Sequence, residues 1–182
     1  MAVPDTVLPA RAGRHRWTWD DLQLLPEDGR RYEAAEGALV VSPSPSRPHQ
    51  DMVLALGRQL QDAAPPGAHV VVGPYDVVLP DGDSLVPDLL VGRLADLEKR
   101  CTRVPPMLVV EVLSAGRTRY DRLVKRGLYE DFGVPVYWIV DPEEPSLTVL
   151  ELAGGSYRDV REVSGVQPVT LERPFPVTIR LG

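Results

Sequence analysis

The chain has 182 residues, 43% of them hydrophobic and 25% charged, and a formal net charge of -6. This size and composition suit one globular domain. No apolar run approaches the roughly 20 residues that a membrane-spanning helix needs, and no secretory signal is visible at the N-terminus. The acidic balance argues against wrapping nucleic acid with the whole surface. Since Cys101 is the single cysteine, an internal disulfide is excluded, and we expect a cytoplasmic protein.

The N-terminal part of the chain combines an irregular segment with a short helix and a hairpin. Residues 1–16 show no periodicity and are predicted to form a flexible arm, which leaves 17–182 as the domain. Thr18 is placed to cap a short helix. The segments Arg31–Ala35 and Ala38–Ser42 flank a Glu-Gly turn and are predicted to pair as a β-hairpin.

The rest of the chain alternates helical and extended patterns. A helix is expected from Pro48 to the Pro-Pro-Gly sequence that follows Ala64. Met107–Leu113 is apolar at successive positions, as in a strand that is covered on both faces. Thr118–Phe132 carries a helical apolar stripe, with Asp121 in a capping box and a glycine after its end. Further strands are predicted over 69–72, 75–79, 88–91, 136–140 and within 147–181. This order predicts an α/β (α+β) fold with a central mixed sheet flanked by helices.

Two carboxylates stand where the hydrophobic effect would not place them. Asp88 directly follows Pro87 at the start of an apolar run, and Glu111 interrupts the long buried strand. A buried isolated charge costs several kcal/mol, so each carboxylate needs a cation, hydrogen bonds or a raised pKa. A divalent metal meets that need, because Mg²⁺ is typically held by one or two carboxylates together with water and substrate phosphate.

A cluster of cations follows on the next helix. Lys125 flanks the predicted apolar stripe, so its ammonium could reach a site at the strand ends and offset charge that develops on a phosphoryl group. Arg117, Arg119 and Arg122 are the side chains of this helix region that we expect to contact a nucleic-acid backbone.

Each of these residues also has an ordinary structural interpretation. Asp88 could simply begin a strand, and Glu111 could pair with a structural arginine. Asp121 and Lys125 have the i,i+4 spacing of a surface ion pair, and an arginine cluster is usually a solvated helix face. The order of the three groups is what favours a site: an acid at a strand start, an acid inside the next long strand, and a lysine on the following helix.

Two further residues are candidate nucleophiles. Ser84 lies in a Gly-Asp-Ser-Leu sequence similar to that of some esterases, but all three histidines precede it in the chain, so no base follows as those enzymes require. Cys101 is surrounded in sequence by basic residues, which could lower a thiol pKa. An incidental cysteine is the favoured interpretation.

The chain resembles the PD-(D/E)xK nuclease superfamily and, more closely, the Uma-two family of restriction-endonuclease-like proteins. The similarity extends from about residue 18 to 180 and consists of six segments in order. These are Arg31-Tyr32-Glu33 with Glu36-Gly37, residues 42–49 (SPSPSRPH), 87–91 (PDLLV), 110–114 (VEVLS), 120–125 (YDRLVK) and 133–142 (GVPVYWIVDP).

The resemblance implies a restriction-endonuclease-like fold with Asp88 and Glu111 as ligands of Mg²⁺ (or Mn²⁺) and Lys125 as the catalytic lysine. It implies hydrolysis of nucleic-acid phosphodiester bonds, foremost in DNA, by a metal-activated water. The lysine expected two residues after Glu111 is replaced by Leu113, and Lys125 on the helix takes its place. Replacing Lys125 with arginine should then abolish cleavage without unfolding the protein.

Family analogy also implies a homodimer, since two-fold pairing suits a duplex substrate. Glu33 and His49 could be auxiliary groups near the site, although a hairpin glutamate and a histidine at a helix start are ordinary structural residues. Two alternatives keep the fold and change the function. One is a catalytically inactive binding or interaction module, and the other is a hydrolase of small phosphoesters.

Overall fold

The computed structural model describes residues 6–8, 16–42, 44–114 and 120–181. Within these ranges the chain forms two six-stranded sheets, a two-stranded sheet and three α-helices. The strands are, in chain order, β1 (Thr6–Leu8), β2 (Arg31–Ala35), β3 (Ala38–Ser42), β4 (Ala68–Val72), β5 (Asp76–Val78), β6 (Ser84–Leu85), β7 (Leu89–Arg93), β8 (Cys101–Thr102), β9 (Leu108–Val112), β10 (Val136–Asp141), β11 (Ser146–Ala153), β12 (Ser156–Ser164), β13 (Val169–Leu171) and β14 (Val177–Ile179).

The two large sheets are both mixed. Sheet A has the strand order β1-β3-β2-β6-β5-β8 and sheet B the order β12-β11-β10-β9-β7-β4, while β13 and β14 pair with each other. The parallel pairs are β9 with β10 in sheet B and β5 with β8 in sheet A. This is the α/β (α+β) architecture that the sequence predicts.

The first two helices begin where side-chain caps are available. Helix α1 (Trp19–Leu22) starts at Thr18, which forms the reciprocal capping box with Asp21. Helix α2 (Arg47–Ala63) starts at Ser46, whose hydroxyl accepts from the His49 backbone N–H. A Pro-Pro-Gly sequence follows α2, as predicted.

The helix predicted over Thr118–Phe132 has a different form. Residues 120–125 are π-helical, and α-helix α3 (Arg126–Phe132) follows and ends at Gly133, which has a φ of 88°. Only glycine adopts that left-handed conformation without strain, so the predicted stop is confirmed. The predicted cap at Thr118 lies outside the described residues, as does the side chain of Asp121.

The hydrophobic core lies on both faces of sheet B. On one face, Leu56 and Leu60 of α2 pack against Leu108 and Val110 of β9. On the other face, Val109 packs with residues of sheet A and α3. Because side chains alternate along a strand, Glu111 lies on the same face as Val109 and is directed between the two sheets. The interruption of this strand by a carboxylate therefore occurs at the centre of the molecule.

The N-terminal segment is described only in part. Thr6–Leu8 pairs with β3, with Thr6 opposite Val41, and so adds a strand at the edge of sheet A. Arg16 contacts Asp81 and Asp83. The remainder of the arm predicted over 1–16 lies outside the described residues. No helix in the described part of the chain is long and apolar enough to cross a membrane.

Candidate active site

The β2–β3 hairpin brings two charged side chains to the space between the sheets. Its turn residues Glu36 and Gly37 have φ angles of 52° and 76°, the combination that matches the twist of a tight hairpin. Side chains two residues apart on a strand share a face. Arg31 and Glu33 of β2 accordingly both contact residues of the candidate site.

Asp88 lies immediately before β7 and is held by three donors. Its Oδ1 accepts from Arg31 at 2.9 Å, and its Oδ2 lies 3.1 Å from His49 Nε2. The same Oδ2 accepts from the backbone N–H of Val112 at 2.9 Å. Because Val112 follows Glu111 in β9, this last bond fixes the two predicted carboxylates on neighbouring strands.

The surroundings of Asp88 favour its ionised form. Burial by itself would raise the pKa of this carboxyl group, but the hydrogen bond from His49 and the charges of Arg31 and Lys125 outweigh it. The pKa of Asp88 is therefore held well below its ordinary value. Asp88 is a carboxylate at neutral pH, as a metal ligand must be.

Lys125 joins the other two carboxylates. Its Nζ lies 2.8 Å from Oε1 of Glu111 and 2.8 Å from Oε1 of Glu33. The hydroxyl of Tyr129, one helical turn beyond Lys125, donates to the same Glu111 oxygen at 3.1 Å. Burial and the neighbouring charge of Glu111 raise the pKa of Tyr129 well above its usual value, so it stays a donor.

A single backbone carbonyl contacts both the arginine that pairs with Asp88 and the lysine that pairs with Glu111. The oxygen of Val86 accepts from Lys125 Nζ at 3.3 Å and lies 3.4 Å from Arg31 Nη1. The Arg31–Asp88 pair and the Lys125–Glu111 pair therefore lie side by side. The structure brings all three predicted residues, Asp88, Glu111 and Lys125, into one cluster.

The structure corrects the expected position of Lys125. Lys125 does not flank a packed face, because its side chain is 0% exposed. The side chain of Asp121 lies outside the described residues. A fully buried ammonium needs counter-charges, and Glu111 and Glu33 supply them. The structural interpretation of Glu111 as an ion-pair partner agrees with its contact with Lys125, while the nearby Arg31 pairs with Asp88.

The predicted nucleic-acid contacts fall outside what the structure describes. Arg117 and Arg119 belong to the undescribed segment 115–119, and the side chain of Arg122 is likewise outside the described residues. Their proposed contact with a nucleic-acid backbone stays a prediction.

Four side chains complete the cluster. Glu33 and His49, considered above as auxiliary groups, both contact a predicted site residue. Arg31 and Tyr129 were not singled out for a role. The spacing of Tyr129 four residues after Lys125 is a usable signal for one helix face. Nothing in the sequence alone indicates that Arg31 reaches Asp88, since 57 residues separate them.

A pocket of about 280 Å³ opens beside Asp88 and is also lined by His49 and Arg31. The His49 side chain is 5% exposed, and its Nδ1 atom is buried with no hydrogen-bond partner within the described part of the protein. Asp88 is thus the member of the predicted triad that borders this pocket, whereas Glu111 and Lys125 lie deeper.

The described side chains include no group of three or more His, Cys, Asp or Glu residues arranged to hold a metal ion. The cluster instead offers oxygen atoms from the carboxylates of Glu33, Asp88 and Glu111. Their charges are partly balanced by Arg31 and Lys125, which leaves one formal negative charge when His49 is neutral.

Neither of the two candidate nucleophiles is exposed. Ser84 is buried in β6. Cys101 is also buried, and burial together with a hydrogen bond to Glu98 raises the pKa of its thiol. This environment agrees with the favoured interpretation of an incidental cysteine, because a raised pKa disfavours the reactive thiolate.

Comparison with known proteins agrees with this architecture. Residues 19–182 match the model of the Uma2 (Uma-two) family, which is described as "Putative restriction endonuclease". The chain belongs to the Uma2 family. The match covers almost all of the predicted domain, including every residue of the cluster. A search of curated proteins gave no match.

A solved structure shares the Uma2 fold seen here. It is the crystal structure of "a putative nuclease belonging to DUF820" from Anabaena variabilis, and it superimposes with a TM-score of 0.67 at 20% sequence identity. The alignment covers 84% of this chain and 89% of the other. The restriction-endonuclease-like fold predicted from the sequence is therefore confirmed, and the family descriptions agree with a nuclease-like protein.

Proposed function

We propose that this protein is a metal-dependent endonuclease that hydrolyses phosphodiester bonds of nucleic acid, foremost DNA. The observation that carries the proposal is the meeting of two buried carboxylates, Asp88 and Glu111, with the buried ammonium of Lys125. Membership of the Uma2 family, described as "Putative restriction endonuclease", supports the same reaction class.

The cluster fits Mg²⁺ or Mn²⁺ by its donor chemistry. Mg²⁺ prefers oxygen ligands and is commonly held by one or two carboxylates, with water and substrate phosphate completing its shell. Asp88 and Glu111 would hold the ion, because they lie on adjacent strands and the pKa of Asp88 favours its charged form. A bound ion would supply Lewis-acid polarisation of the phosphate and a water nucleophile at neutral pH.

The protein's own cations would act on the substrate. Lys125 would orient the attacking water and stabilise the charge that grows on the phosphate oxygens, as a preorganised cation does in a dry site. Arg31 lies at the wall of the Asp88 pocket, where its guanidinium would bind a phosphate oxygen and position the scissile group.

The buried carboxylate Glu33 would have a positioning role. It accepts from the Val86 backbone N–H at 2.8 Å and contacts Lys125. These two contacts would hold the Lys125 ammonium in place when Glu111 binds the metal. Substrate would approach through the pocket beside Asp88 because Glu111 and Lys125 are almost wholly enclosed.

A homodimer is part of the proposal, because two such sites related by two-fold symmetry would suit a duplex substrate. Light scattering across a concentration series would test it. A mass of twice the chain is expected, and a monomer at every concentration would contradict it.

Nicking of supercoiled plasmid and degradation of single-stranded DNA, each with Mg²⁺, Mn²⁺ or EDTA, tests the activity. Asp88→Asn and Glu111→Gln should lose cleavage. Glu162→Gln makes the same type of change at an exposed residue of β12 and should keep it. Circular dichroism confirms that each variant is folded.

Two other outcomes would point to the alternative functions. Binding of DNA without metal-dependent cleavage by the folded wild-type protein would favour a catalytically inactive interaction module. Hydrolysis of p-nitrophenyl phosphodiesters, with no cleavage of either DNA, would favour a small-phosphoester hydrolase.

A further inference from the structure

A second, larger groove lies beside the candidate active site. Its volume is about 380 Å³, and it is bordered by the segment between α1 and β2 on one side and by the residues before β8 on the other. Four cationic side chains line it: Arg30, Arg31, Lys99 and Arg100. Lys99 is one of only two lysines in the chain, and the other is Lys125.

This groove adjoins the pocket beside Asp88. Arg30, Arg31 and Pro74 line both spaces, and Arg31 also contacts the Asp88 carboxylate. A chain-like ligand whose reacting group lies at Asp88 would therefore extend past Arg31 toward Lys99 and Arg100.

Two of the cations in the groove, Lys99 and Arg100, are exposed to a ligand. Arg100 is 68% exposed, and the carboxylate with which it pairs, that of Glu27, is 3.9 Å away on a side chain that is 94% exposed. The other acidic residue in the lining, Asp76, accepts from the indole of Trp19 at 2.9 Å. Weak exposed pairs of this kind contribute little and are readily exchanged for a phosphate.

Aromatic side chains are interleaved with these cations. Tyr32 and Tyr75 line the same groove and are half-buried. Their hydroxyls are held by Asp28 and by backbone carbonyls of 98 and 101. A cationic groove with fixed aromatic rings is the common design for holding a nucleic-acid strand, because the cations contact phosphates and the rings stack on bases.

We propose that this groove binds the stretch of DNA strand next to the scissile bond, with Lys99 and Arg100 contacting its phosphates and Arg31 at the junction with the reacting phosphate. The inference rests on the proposed endonuclease function. It assigns substrate binding to residues remote in sequence from the arginine cluster at 117–122. In a chain of net charge -6, such a local groove would set where and how DNA docks.

The test compares two double variants of equal charge change. Lys99→Ala/Arg100→Ala removes the proposed contacts, while Arg158→Ala/Arg161→Ala removes two exposed arginines from β12, the strand at the edge of sheet B opposite β4. Binding of a fluorescein-labelled DNA duplex and of its single strand is measured by fluorescence anisotropy in EDTA over a salt series. Cleavage of the same DNA is then measured with Mg²⁺.

The groove variant should bind DNA roughly tenfold more weakly than the wild type at low salt. The magnitude of the slope of log binding constant against log salt concentration should fall by about 1.5, because each of the two lost phosphate contacts contributes about 0.7–0.9. The β12 variant should bind like the wild type. Equal affinity and slope for the groove variant and the wild type would overturn the proposal.

The cleavage arm separates this proposal from the proposed function. If the wild type cleaves DNA and the groove variant binds as tightly as the wild type, the groove assignment is wrong and the nuclease function stands. If the wild type binds DNA through the groove but never cleaves it, the groove assignment stands and the nuclease function fails. If the wild type neither binds nor cleaves DNA, both are wrong.

Discussion

At the scale of single residues, the candidate site is a set of buried charges that stabilise one another. Lys125 is fully enclosed between Glu111 and Glu33, and Asp88 is enclosed between Arg31 and His49. Such an arrangement gains little over an apolar core, whereas removal of one partner leaves an unpaired buried charge. The cluster therefore contributes little to the free energy of folding compared with apolar residues, and this favours a chemical role.

Replacement of Lys125 by methionine, which has a similar shape and no charge, should destabilise the protein by about 3–5 kcal/mol, because Glu111 and Glu33 lose their shared cation. It should also abolish cleavage. Urea unfolding followed by circular dichroism measures the first effect.

The other lysine supplies the comparison for stability. Lys99→Met changes an exposed side chain and should shift the free energy of unfolding by no more than about 0.5 kcal/mol. A loss below about 1 kcal/mol for Lys125→Met would show that the buried ion pairs are not as the structure has them.

Asp88→Asn should change the dependence of stability on pH. Since the pKa of Asp88 is lower in the folded protein than in the unfolded chain, its ionised form stabilises the fold above about pH 4, and this contribution is lost as pH falls further. The wild type should thus exceed the variant in stability at neutral pH by a margin that shrinks in acid. Urea unfolding across a pH series measures the margin.

A margin that stays constant from neutral pH into acid would contradict the assigned environment of Asp88. The exposed residue Asp62 of α2 offers a comparison, because Asp62→Asn should change stability little at every pH.

At the scale of elements, the position of Asp88 depends on a close approach between two segments. Gly73 donates its N–H to the carbonyl of Asp88 at 2.9 Å, and a Cβ at Gly73 would lie 2.5 Å from the carbonyl oxygen of Pro87. That contact is with backbone, which cannot move aside like a flexible side chain. The segment that carries Asp88 therefore packs so closely against Gly73 that no larger residue fits there.

Gly73→Ala should push the Pro87–Asp88 backbone away from β4, lower stability by about 1–3 kcal/mol and reduce cleavage. Gly127→Ala on α3 is the matched change, because a Cβ there meets nothing within 4 Å. It should stabilise the helix by about 0.5–1 kcal/mol. Unfolding and cleavage assays on both variants check this. Equal stability of the two variants would contradict it.

Element by element, the sequence predicts best where signals are local. The β2–β3 hairpin has the predicted bounds because the Glu-Gly turn between its strands is a local signal. Helix α2 also forms as expected, since Pro48 and its apolar spacing are short-range signals. The π-helical form of 120–125 has no comparable signal in the sequence. A π-helical turn contains more residues than an α-helical turn, so the side chains that follow point in other directions than α-helical spacing predicts. This explains why Lys125 is fully buried and does not lie at the margin of the packed face.

At the scale of the whole molecule, the site exists only because several elements meet. Arg31 comes from sheet A, and Glu111 comes from β9 of sheet B. Asp88 directly precedes β7, and Lys125 comes from the helical segment before α3. The family resemblance identified Asp88, Glu111 and Lys125 because each belongs to a segment that the family shares. The partnership of Arg31 with Asp88 is set by the docking of two sheets, which residue spacing does not encode.

The groove beside the candidate site differs in charge from the molecule as a whole. The chain has a net charge of -6, yet Arg31 and Lys125 lie at the carboxylates, and Lys99 and Arg100 line the adjoining groove. A protein of this kind would be repelled by DNA over most of its surface and attracted at one place.

If the proposed function is right, Asp88 and Glu111 together bind one divalent ion. Binding can be measured by titration of the folded, metal-free protein with Mn²⁺, followed by electron paramagnetic resonance of the free ion. Saturable binding is expected for the wild type and for Glu162→Gln, and loss of that binding is expected in both Asp88→Asn and Glu111→Gln. Unchanged Mn²⁺ binding in these two folded variants would contradict it.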